Sequence, residues 1–167
     1  PKHFLYIDTI ARHVPAARFI HVLRDGPDVV ASIRARADRH GETFPLQRDP
    51  AYAVDLWNAS VRAAAAHRDQ AAHRLVFYDR FCAAPEAELR RLCDWLGLAF
   101  EPAMLEPPAG DASFVRDREA WKSGAAGPLA QAESKFEKIF DEPTRRRIER
   151  RLDLDLYRRL AAESPPA

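Results

Sequence analysis

Apolar positions along this chain recur with two kinds of spacing. Phe4, Ile7, Ile10, Ala11 and Val14 return at three- and four-residue steps, which predicts a helix over residues 2–14, ended by Pro15. Residues 17–23 are a short run of strand length with Phe19, Ile20, Val22 and Leu23. Arg24-Asp25-Gly26 breaks that run. Pro27 then sits where a first helical residue belongs, since its fixed φ suits the position and its missing N–H is not needed there. Val29, Val30 and Ile33 give an apolar side to a helix running from Pro27 to about Arg39. Residues 40–50 are polar, with two prolines, and read as a loop. A second long helix is predicted over 51–70, with Val54, Trp57, Val61 and Ala64 or Ala65 on one side, and a second short strand over Arg74–Tyr78. Pro85 opens a helix whose inner face is Leu89, Leu92, Cys93 and Leu96, and Gly97 can close it. Residues 101–127 read as a long loop with at most one helical turn. Helices follow over 128–140 and 143–161, the second carrying Ile148, Leu152, Leu156, Tyr157 and Leu160. Residues 163–167 read as a frayed tail.

Two strands, each flanked by helices, imply βα units and parallel pairing. Parallel sheets are normally covered on both faces and several strands wide, so two strands make a narrow one. The pattern predicts an α/β fold with a parallel sheet, here an incomplete domain dominated by helices, over residues 1–162.

Composition narrows the class. At 167 residues, 47% hydrophobic and 31% charged, the chain reads as one ordinary soluble domain with a sizeable core. A net charge of +1 gives no argument for a nucleic-acid partner. The basic run Arg145–Arg151 is interleaved with Glu142, Glu149, Asp153 and Asp155, which reads as a solvated face laced with ion pairs. No apolar stretch is long enough to span a membrane and the first residues are not a signal peptide, so the expected location is cytoplasmic. Cys82 and Cys93 are too few for a disulfide scaffold. The six histidines form no HxH or HxxxH pair and no CxxC occurs, so no metal site is expected. Asn58-Ala-Ser60 matches a glycosylation acceptor by chance, mid-helix beside Trp57. The Ala- and Arg-rich usage suggests a bacterial source. None of the 6 glycines forms a Gly-rich phosphate loop.

The most informative segment is the strand–helix junction at Arg24. It offers a helix N-terminus, an arginine beside it and Ser32 just over one turn into the helix, a combination that can hold a phosphate. On the residues alone a plainer alternative stays open: Arg24 and Asp25 as an exposed ion pair at a βα turn, and Ser32 as a solvated helix residue. The order L-R-D-G-P-D-V-V-A-S-I resembles the signature of the sulfotransferase superfamily that holds the 3′-phosphate of 3′-phosphoadenosine 5′-phosphosulfate (PAPS). That resemblance implies Arg24 and Ser32 as 3′-phosphate ligands. Asp25 and Asp28 shape the turn and favour the positive end of the helix dipole.

Two further segments match in order. Arg74 to Met104 resembles the family's strand, Tyr-Glu-Asp, Pro and amphipathic-helix pattern, with Tyr78-Asp79-Arg80 in place of the acidic pair and Trp95 in place of Phe. It implies Tyr78 as an adenine contact, although a tyrosine at a strand end can equally pack its ring and wet its hydroxyl. Arg116 to Gly124 occupies the place of a basic closing stretch. There Trp121 is a candidate to stack on adenine, and Lys122, Arg116 or Arg118 to reach a phosphate, with a solvated loop as the alternative.

The resemblance implies a P-loop-like three-layer fold and transfer of a sulfuryl group from PAPS to a hydroxyl or amine of a small-molecule or carbohydrate acceptor, without a metal. The family's Pro-Lys-Ser/Thr-Gly-Thr-Thr-like loop has no counterpart here. Pro1-Lys2-His3 resembles the end of a family pattern, Glu-Lys-Thr-Pro-x-His. The chain is therefore expected to be a C-terminal portion lacking the 5′-phosphosulfate loop, and a poor enzyme alone. No catalytic residue is assigned. Another P-loop-like transferase or kinase, and a non-catalytic α/β interaction module, remain as alternatives.

Overall fold

The computed structural model describes residues 2–39, 45–106 and 133–164. The described residues fall into two units: those within Pro1–Tyr78 and Glu133–Pro165, and those within Asp79–Ala132.

The first unit is built on two parallel strands, β1 (Phe19–Leu23) and β2 (His73–Phe77). They pair residue for residue from Phe19↔His73 to Leu23↔Phe77. A 3-10 turn (His3–Tyr6) and α1 (Ile7–His13) precede β1, so the helix expected over 2–14 has a tightened first turn. Only Ile7 is buried in α1, which leaves little packing to hold a longer regular helix there. The α2 helix (Gly26–Arg39) follows β1. A 3-10 turn at Pro45–Arg48 leads into α3 (Pro50–His67), which starts where Asp49 accepts a 2.9 Å bond from the Ala51 amide and Pro50 occupies the first helical position. α3 ends before residue 70 because residues 67–73 turn into β2, with the Gln70 amide on the His67 carbonyl and the His73 amide on the Gln70 carbonyl.

β2 also stops one residue earlier than the apolar run suggests, and Tyr78 opens α4 (Tyr78–Ala83) rather than ending the strand. Of the helix expected over 128–140, residues 128–132 lie outside the described part. The rest is a short α6 (Phe136–Ile139), begun where Ser134 Oγ accepts from the Phe136 amide at 3.3 Å.

The helix expected over 143–161 is two helices, α7 (Glu142–Arg151) and α8 (Leu154–Glu163). The buried Asn58 on α3 causes the break. Its Nδ2 donates to the Arg151 carbonyl at 2.8 Å, and its Oδ1 accepts from the Asp153 amide at 2.9 Å. Both backbone groups would otherwise continue one helix. Asn58 is thus fully engaged inside the fold. Glu163, expected to begin the tail, is the last residue of α8 and pairs with Arg68, while residues 165–167 lie outside the described part.

One core joins this unit. Leu23 and Phe77 from the strand ends meet Val30 and Ala31 of α2, Val54, Trp57 and Val61 of α3, and Phe136, Ile148, Leu152 and Leu160 from the later helices. The exposed face of α7 is ion-paired through Arg145–Glu137 at 3.6 Å, Arg146–Glu142 and Arg151–Asp55 at 3.1 Å.

In the second unit, α5 (Pro85–Leu96) buries Glu88 and Cys93, and the Met104 sulfur on a 3-10 turn at Pro102–Leu105 lies 3.8 Å from Cys93 Sγ. Gly97 closes α5 at φ +72°, a left-handed conformation that costs glycine little.

Candidate functional site

The parallel register decides what emerges at the C-terminal ends of the strands. Since Leu23 lies opposite Phe77, the chain leaves both strands with Arg24 and Tyr78 side by side. That end of a parallel sheet is where α/β folds bind ligands. The Arg24 guanidinium lies over the Tyr78 ring, 4.8 Å from its centroid. On its other side Arg24 Nη2 donates to Asp28 Oδ2 at 3.0 Å. Arg24 and Asp28, one helical turn apart, thus form an ion pair with both side chains mostly shielded. Arg24 Nε is buried with no hydrogen-bond partner. A buried guanidinium N–H is costly to leave unpaired.

Asp28 is the third residue of α2, where a carboxylate meets the positive end of the helix dipole. Ser32 lies four residues further on, along the same face, and is exposed. The turn itself is clamped from α3. Trp57 Nε1 donates to the Arg24 carbonyl at 2.9 Å, and a Cβ on Gly26 would come within 3.1 Å of the Trp57 ring and 3.0 Å of Leu152. This is why the turn needs glycine at 26.

Arg24, Asp28 and Tyr78 thus meet at one end of the sheet beside the N-terminus of α2, with Ser32 one turn beyond Asp28 along that helix. Such an arrangement can hold an anion by charge-assisted hydrogen bonds. Trp121, Lys122, Arg116 and Arg118 lie outside the described residues. The sequence pattern placed Trp57 only on an apolar helix face. Its bond to the Arg24 carbonyl spans 33 residues and leaves no local signal.

A second cluster was also invisible to local spacing. His21 Nε2 and His73 Nδ1 share a 2.9 Å hydrogen bond, and the His67 ring stacks on His73 at 4.8 Å. His73 is sandwiched on its other side by Phe19 at 4.6 Å. Burial, then repulsion from His73 and His67, lowers the His21 pKa to about 4. Burial, then repulsion from His67, also lowers that of His73, against an opposing pull from Asp8. Among the described residues no three His, Cys, Asp or Glu side chains are arranged to hold a metal ion, and no helix is long and apolar enough to cross a membrane.

Comparison with known proteins gives the chain's family and fold. A model of the sulfotransferase family matches residues 1–102. A solved structure, the sulfotransferase domain from the curacin biosynthetic pathway, is similar to the chain with a TM-score of 0.58 at 18% identity. The similarity covers 90% of this chain and 59% of that one. The chain thus spans less than two thirds of the length of that domain, and at this identity the likeness is one of fold, a helix-dominated α/β architecture around parallel strands. No curated protein matches the chain in sequence. With the family pattern covering both strands and the Arg24 turn between them, the chain belongs to the sulfotransferase family.

Proposed function

We propose that this chain carries the 3′-phosphate and adenine side of a PAPS site and serves sulfuryl transfer to a hydroxyl or amine of a small-molecule or carbohydrate acceptor. The observation that carries this reading is the Arg24–Tyr78 pair at the strand ends, with the buried, unpartnered Arg24 Nε beside a helix N-terminus. A phosphate oxygen would supply the acceptor that Nε lacks, as a charge-assisted bond. Ser32 would donate its hydroxyl to the same phosphate. The cation–π contact fixes the Tyr78 ring plane, so that the ring can meet a purine at a set angle. Trp121 and Lys122 would add a stacking surface and a cation.

Bound PAPS supplies the activated sulfuryl group. The part of this chain's residues is to bind and orient the nucleotide. Its setting is proposed to be cytoplasmic.

The test is calorimetric titration of the chain with adenosine 3′,5′-bisphosphate (PAP), beside ATP. Binding of PAP in preference to ATP supports the reading. Preference for ATP would assign the turn to a kinase-like enzyme, and no binding of either to the folded chain would leave a non-catalytic module.

A further inference from the structure

The Arg24 turn rests on Trp57 and Leu152, and of the two only Trp57 hydrogen-bonds it. Trp57 is 4% exposed, yet it carries a polar N–H, and that N–H donates to the Arg24 carbonyl at 2.9 Å. A buried indole N–H normally finds a partner. Here the partner is the backbone of the residue that presents the guanidinium. The same ring sits under Gly26, at the distance where a Cβ would collide with it. The indole therefore fixes both ends of the two-residue link between β1 and α2.

Trp57 also reaches the second strand end. Its ring lies 5.7 Å from that of Tyr157 on α8, and Tyr157 meets Phe77 edge-on at 5.7 Å. Phe77 is the last residue of β2, directly before Tyr78. A continuous ring path thus runs from the Arg24 carbonyl through Trp57, Tyr157 and Phe77 to the backbone that presents Tyr78. Packed rings of this kind have few alternative arrangements, so the path braces strand ends that the β1–β2 pairing already holds in register.

We infer that Trp57 is a positioning residue for the 3′-phosphate: its indole N–H, beyond the bulk of its ring, sets where the Arg24 guanidinium stands relative to Tyr78. This inference rests on the nucleotide reading above. Loss of the N–H frees the Arg24 carbonyl and lets the guanidinium drift, while the core below remains filled.

The test uses the whole 167-residue chain with Trp57→Phe, and with Trp57 replaced by its benzothiophene analogue, which keeps the bicyclic ring and removes only the N–H. Arg24→Ala is run in parallel. PAP and adenosine 5′-monophosphate (AMP) are titrated well below the melting temperature of each form, and melting is recorded separately. One lost hydrogen bond predicts PAP affinity about five- to tenfold weaker in the analogue, with AMP affinity unchanged. General loosening of the fold would weaken both nucleotides alike and would overturn the inference. So would unchanged PAP affinity in the analogue while Arg24→Ala abolishes it, an outcome that leaves the nucleotide reading standing. Failure of the unaltered chain to bind PAP would remove that reading itself, and this inference with it.

Discussion

The Arg24 guanidinium lies 4.8 Å over the Tyr78 ring although the two residues are far apart in sequence. Strand register produces the contact: each residue is the first after its strand, and the strands are paired in step to their last residues. Tyr78→Phe keeps the ring face over which the Arg24 guanidinium lies and should cost less stability than Tyr78→Leu. Tyr78→Leu removes it and should cost about 0.5–1 kcal/mol, the usual worth of a partly exposed cation–π contact. Urea unfolding of the two variants distinguishes them.

Asn58 ties α3 to the α7–α8 corner through two backbone groups. Asn58→Leu would leave the Arg151 carbonyl and the Asp153 amide without that partner. We expect a loss of about 2–6 kcal/mol, at roughly 1–3 kcal/mol for each of the two groups left unsatisfied. Chemical denaturation measures it, and a loss below about 1 kcal/mol would show that water serves the corner equally well.

Gly26 sits against Trp57 and Leu152 with no room for a methyl group. Gly26→Ala should cost about 1–3 kcal/mol by overpacking. The Arg24 turn has to shift to make room, so PAP binding should weaken along with thermal stability. Leu152→Ala in the same background should relieve part of the clash and recover part of the binding.

The imidazole cluster sets a pH dependence. His21 titrates near 4 in the folded chain against 6.5 ordinarily, and His73 is shifted the same way. Folded rings therefore bind fewer protons than unfolded ones between these values. Stability from this cluster is full above pH 6.5 and falls as pH drops toward 4. His73 is buried but His21, which carries the larger shift, is only partly buried, so the expected loss is about 1–2 kcal/mol. His21→Leu should flatten that slope. Melting temperatures from pH 7 to 4 in both forms test it, and equal slopes would contradict the assignment.

The parts of this fold legible in the sequence are those set by near neighbours. Both strands announced themselves as short apolar runs, and Asp49-Pro50, Pro85 and Gly97 punctuate helices by local chemistry. The Arg24–Ser32 segment was legible as a family pattern. What was not legible depends on distant partners. The α7–α8 break lies in a periodic stretch that local propensity would carry through, and its cause, Asn58, is more than ninety residues earlier. The His21–His73 pair is separated by 52 residues and exists only because β1 and β2 are adjacent. Trp57 has the spacing of a core residue, and its directing N–H shows only once the Arg24 turn lies above it.

The central claim is that Arg24 reads a 3′-phosphate. The most direct measurement is the ratio of PAP to AMP affinity, by calorimetry, in the unaltered chain and in Arg24→Ala. The account predicts a preference for PAP of at least tenfold that collapses to near unity in Arg24→Ala, while AMP affinity hardly changes, since a charge-assisted phosphate bond contributes about 1.5–3 kcal/mol. An equal ratio in both forms would contradict it.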